Sequence, residues 1–126
     1  MPGSPALAPT YEEVDDYLET IDMLEALAAT ELHSGHWPIR TGAEIADFMA
    51  ESRAFVAHMD AALAERLERP ATLADLCEHA DERLGPFGSD PVNLMFAVHG
   101  HIRRMLRAGK AAIVAAGERP PRYRLP

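Results

Sequence analysis

A chain of 126 residues, 48% hydrophobic and 25% charged, has the composition of a globular unit with a real core and excludes a disordered chain. Its net charge of −8 opposes general binding to phosphate backbones or anionic membranes, and no apolar run approaches the roughly 20 residues of a membrane span. A single cysteine, Cys77, excludes an internal disulfide framework, and residues 1–9 lack the basic start and apolar stretch of a signal peptide, so the expected address is cytoplasmic.

Residues 1–10, with Pro2, Gly3, Pro5 and Pro9, read as a flexible tail. Residues 11–70 read as a pair of long helices. Thr10 and Glu13 have the spacing of a capping box. Val14, Tyr17, Leu18, Ile21, Leu24, Leu27 and Ala28 then recur at three and four, one apolar stripe on a helix of about twenty residues. Its other face carries Glu12, Glu13, Asp15, Asp16, Glu19, Asp22 and Glu25 with no basic residue. Residues Ser34 to Pro38 read as a break. A second capping box at Thr41 and Glu44 opens a long helix with Ile45, Phe48, Met49, Phe55, Val56, Met59, Leu63 and Leu67 inside, ended by Pro70.

Residues 71–126 read as a helix, helix, hairpin unit. Thr72 and Asp75 could cap a third helix carrying Leu73, Leu76, Cys77, Ala80 and Leu84. Asp90 and Pro91 suit the start of a fourth, with Met95, Val98, Ile102 and Leu106 buried and Gly109 as its stop. Ile113 and Val114 form a short extended run. Tyr123 and Leu125 then alternate with Arg122 and Arg124, the period of a strand. The expected fold is mainly α: two long helices followed by a winged-helix-like unit, with the fourth helix in the recognition position.

Charge is placed unevenly. Residues 1–98 carry nineteen acidic and five basic side chains, whereas residues 99–126 carry seven basic and one acidic. Such asymmetry marks either an interaction surface or two halves that attract each other. On the first meaning, Arg103, Arg104, Arg107 and Lys110 are the candidate nucleic-acid contacts.

No complete active site can be read from the residues. His33 and His36 flank a helix exit, but two histidines are too few for a metal site. His99 and His101, two apart on a helix, point to different faces. Cys77 sits on an inner stripe, as a small buried hydrophobe does. There is no Gly-x-Ser-x-Gly elbow and no glycine-rich phosphate loop.

The order and spacing of several segments resemble the C-terminal region of metallo-β-lactamase-fold hydrolases. They are Tyr17-Leu18 and Thr20-Ile21 leading to Ser34-Gly35-His36-Trp37-Pro38, then Ile45-Ala46-Asp47-Phe48, Arg69 to Cys77, His101 to Lys110 and Pro121 to Leu125. The resemblance spans about residues 11–126. It implies the last helix and ligand turn of a catalytic domain, followed by a long helix and a winged-helix-like extension. By resemblance His36 alone corresponds to a metal ligand. The family's His-x-His-x-Asp-His motif is absent, and one imidazole cannot hold a catalytic zinc, which needs about three protein ligands.

The expected function is therefore a non-catalytic accessory or interaction domain, with no cofactor of its own. It would pair as a homodimer or dock on a larger protein, because the stripe of the first helix needs cover. One rival is a winged-helix regulator binding DNA through the fourth helix, a partner that the acidic remainder disfavours. The other is a fragment of a zinc-dependent hydrolase, with zinc as its cofactor.

Overall fold

The computed structural model describes residues 9–34, 37–87 and 91–126. In chain order the elements are α1 (Val14–Ala26), β1 (Glu31–Ser34), β2 (Trp37–Thr41), α2 (Ala43–Arg66), β3 (Ala71–Thr72), α3 (Leu73–Leu84), α4 (Pro91–Arg107), β4 (Ala112–Ile113) and β5 (Arg122–Arg124). The fold is mainly helical, with two small antiparallel sheets.

The first helix is shorter than its apolar stripe predicts. It starts at Val14, because Glu13 is extended and no side chain caps the end. The Thr10–Glu13 box is thus not formed; residues before Val14 run against α4 instead. The helix stops at Ala26, and Ala28 follows with a positive φ of 50°. The expected break at Ser34 to Pro38 is part of a hairpin in which Leu32 pairs with Arg40 and Glu31 with Thr41. Residues 35 and 36 lie outside the described residues. The Thr41–Glu44 box is not formed either: Gly42, at φ 54°, stands at the N-cap of α2.

The Thr72–Asp75 box is present. Thr72 Oγ1 accepts from the Asp75 amide at 3.2 Å, and the Asp75 carboxylate accepts from the Thr72 amide at 3.0 Å. The predicted cap residue Asp90 lies outside the described residues. At the other end of α4, Gly109 takes a φ of 71°, with its N–H on the Leu106 carbonyl and the Lys110 N–H on the Met105 carbonyl. That is the Schellman stop that glycine at this position favours.

The predicted terminal hairpin forms and gains a third strand. Tyr123 pairs with Ile113 on one side and Ala71 on the other, giving the order β3-β5-β4. The Leu125 N–H also donates to the Leu67 carbonyl, tying the end of the chain to the end of α2.

The core joins Met59, Leu63 and Leu67 of the α2 end to Leu76 and Ala80 of α3, to Val98, Ile102 and Met105 of α4, and to Ala71 and Tyr123 of the sheet. Leu63, Leu76, Val98 and Ile102 are fully buried. Truncating such a leucine to alanine costs about 2–5 kcal/mol. The buried face of α4 starts at Leu94 rather than Met95, so Met95 and its neighbour Phe96 face outward.

Candidate functional site

The titratable groups that the fold brings together lie where the start of α1 crosses α4 beside α2. Tyr11 and Tyr17 stack with ring centres 4.5 Å apart. The Tyr11 hydroxyl lies 2.6 Å from His101 Nε2, and His101 Nδ1 lies 2.6 Å from an Asp60 oxygen. A carboxylate only accepts, so Nδ1 carries the proton and donates to Asp60. Nε2 then accepts from the Tyr11 hydroxyl. Burial, with the charges of Tyr17 and Asp60, pushes the Tyr11 phenol above its ordinary range and keeps it a donor. The second Asp60 oxygen accepts from Arg104 at 3.0 Å. His101 is the one polar residue with no solvent exposure among the described residues, and both of its ring nitrogens are satisfied.

Around this chain of bonds, the basic end of α4 meets the acidic start of α1. Arg103 pairs with Glu13 and lies 3.6 Å from Glu12. Arg104 bonds Asp15 at 2.9 Å as well as Asp60. Arg107 lies 3.9 Å from Asp15. Acidic groups suit the N-terminus of α1 and basic groups the C-terminus of α4, so each set also complements its own helix dipole. Three of the four arginine and lysine positions proposed for nucleic acid are thus held by carboxylates of the same chain. The fourth, Lys110, has no carboxylate partner among the described residues.

His36 lies outside the described residues. His33 is exposed and bonded to Glu31 at 3.1 Å. Among the described residues, no three His, Cys, Asp or Glu side chains are placed to share a metal ion. Burial pushes the Cys77 thiol up to about 11, so it is a protonated, unreactive group at neutral pH.

Sequence reasoning weighed His101 only as a metal ligand and passed over Asp60. The signal for His101 was its place on the stripe: Leu94, Val98, His101 and Met105 share one face, so a histidine there had to be buried. Nothing local marked its partners, which come from 41 and 90 residues away.

Arrayed in this way, the groups fasten three helices together. Among the described residues no helix is long and apolar enough to cross a membrane. Neither a family model nor a curated protein sequence matches the chain.

Proposed function

We propose that the chain is a non-catalytic interaction domain, similar in role to the C-terminal region of metallo-β-lactamase-fold hydrolases, and that it docks on a protein partner through the end of α1. The observation that carries this reading is the exposure of Met23, Leu24 and Leu27, which are 63%, 37% and 71% accessible on the last turns and C-cap of one helix. The stripe predicted to need cover finds it only in part: Ile21 is buried, Tyr17 and Leu18 half-buried, and Leu24 is left outside. Met23 is not a packing residue of this chain. On α2, Arg53 grips Asp22 and Glu25, which fixes the helix end while its apolar side chains stay outward. Fully burying one such side chain stabilises a complex by roughly 1.5–3 kcal/mol.

The partner is a second copy or a larger protein, and two-fold pairing is the commonest closure for the first. Light scattering of the full chain at high micromolar concentration tests it, with Leu27→Glu beside the parent. A dimer that Leu27→Glu returns to monomer supports pairing. A parent that stays monomeric points to the larger partner, and a Leu27→Glu monomer clearly less stable to urea than the parent would show Leu27 packed within the chain and remove the docking surface.

The order α2-β3-α3-α4-β4-β5 with sheet order β3-β5-β4 favours a second reading, the winged-helix regulator. Against it stand the engaged arginines and the apolar Met95 and Phe96 on the outward side of α4. The reading as a fragment of a zinc-dependent hydrolase rests on His36.

A further inference from the structure

A cleft of about 530 Å³ lies between the last two turns of α2 and the C-terminal end of α4. Its apolar lining is Ala61 and Ala64 of α2, Met105 of α4, Ala108 just beyond it, and Leu125 just after β5. Its polar lining is Asp60, Arg104 and Lys110. Small side chains create the space, and its size falls within the roughly 300–1,000 Å³ of small-molecule sites.

The polar groups of this cleft are not equivalent. The Asp60 carboxylate is already taken, by His101 Nδ1 on one oxygen and Arg104 on the other. The buried imidazole fixes that carboxylate from behind, and the carboxylate in turn holds Arg104 in place. The carbonyls of Met105 and Leu106, near the end of α4, accept from the Lys110 and Gly109 amides, so they are engaged rather than free. Arg104 is answered twice, by Asp60 at 3.0 Å and by Asp15 at 2.9 Å. Among the described residues the Lys110 ammonium has no carboxylate, so it is the unanswered cation of the cleft.

We propose that this cleft binds a small organic carboxylate with an apolar body. Its acid group sits against Lys110, beside the Arg104 guanidinium that Asp60 and Asp15 hold, and its hydrocarbon lies over Ala61, Ala64, Met105 and Leu125. A cationic ligand would meet Lys110 and Arg104 with no free carboxylate to answer it. An inorganic anion would leave the apolar wall unused. This site is separate from the exposed end of α1 and stands or falls apart from the docking reading.

Octanoate is the probe, with octanol and octyltrimethylammonium as its neutral and cationic matches. Amide chemical shifts of the full chain report where each one binds. The expected result is a single saturable site, with shifts confined to residues 60–64, 104–110 and 125, and octanoate bound at least tenfold more tightly than either match. Lys110→Glu changes an exposed side chain outside the core and should weaken octanoate at least tenfold. Ala64→Phe fills the cleft and should abolish binding. Shifts that do not saturate, shifts that centre on Met23 to Leu27, or equal affinity for octanol and octanoate would overturn the proposal. The comparison of the three ligands needs no variant, so a misfolded Ala64→Phe protein leaves the test intact.

Discussion

A methyl group at Gly100 would overlap the carbonyl oxygen of Glu12, so the chain entering α1 lies directly on the backbone of α4. This contact explains a glycine in the middle of a helix, where it is otherwise about 1 kcal/mol worse than alanine. It also sets the height at which Tyr11 reaches His101 and Arg103 reaches Glu13.

Gly100→Ala should therefore destabilise the protein despite its better helix propensity. Forcing the two backbones apart is an overpacking change, with a cost of about 1–3 kcal/mol. Urea denaturation measures it. A variant as stable as the parent would mean that residues before Val14 do not rest on α4.

Asp60 and His101 should behave as one unit. His101→Ala removes a fully buried ring and leaves the Tyr11 hydroxyl without its acceptor, for a loss of about 3 kcal/mol. Asp60→Asn should cost about 1.5–3 kcal/mol: the amide oxygen can still accept from Nδ1–H, but the amide NH2 then faces Arg104 and its charge-assisted bond is lost. In a double-mutant cycle of Asp60→Ala and His101→Ala, the coupling should lie between about 0.5 and 3 kcal/mol. Additive losses would show that the bond between them contributes little.

The parts of the fold legible in the sequence are those set by neighbours in the chain. The Thr72–Asp75 box, the Gly109 stop and the period of two at Tyr123 each act within a few residues, and each is found as read. The misses are elements that distant contacts decide. Thr10 and Glu13 have capping spacing, yet Tyr11 is held by His101 and Glu13 by Arg103, so the segment stays extended. β3 is two residues long and exists through its pairing with Tyr123 and Arg122, some fifty residues on. The first strand of the β1–β2 hairpin is four residues long with Leu32 as its one apolar side chain, and a proline stands in the second, so no strand period shows. The same division holds at the site. The arginines were legible as a charge run, but their partners were not, because helix crossing brings them together.

The cap of α3 should give a pH-dependent share of stability. The Thr72 amide bonds the Asp75 carboxylate and holds its pKa below the ordinary carboxyl value, with Arg66 adding to the effect. A depressed folded pKa means that the contribution is present at neutral pH and is lost as pH falls through that value. At pH 7, Asp75→Ala and Thr72→Ala should each cost about 0.5–2 kcal/mol. The gap between Asp75→Ala and the parent should narrow once pH drops below about 4. A gap that is constant from pH 7 to pH 3 would assign the loss to helix propensity rather than to the charged cap.

Nucleic acid should bind weakly or not at all, and the reason is specific to this chain. Arg103, Arg104 and Arg107 occupy the face of α4 that a winged-helix reader would present to phosphates. Each is already opposed by Glu12, Glu13 or Asp15. Single exposed pairs of this kind are worth at most about 1 kcal/mol. Together they still place carboxylates where phosphates would have to sit, and residues 1–98 add their excess of nineteen acidic over five basic groups. Phosphate attraction supplies essentially all of non-specific affinity, so the intramolecular partners remove its main source. An anisotropy titration of a labelled duplex at low salt should show no submicromolar binding. Replacing the three carboxylates together, as Glu12→Gln, Glu13→Gln and Asp15→Asn, should release Arg103 and Arg107, while Asp60 still holds Arg104. Binding should then tighten, and the dependence on salt should steepen by up to about 1.8 in log–log slope for two freed contacts. The opposite outcome is equally clear: tight, salt-sensitive binding by the parent that disappears in Arg103→Ala and Arg107→Ala would make the fourth helix a nucleic-acid reader.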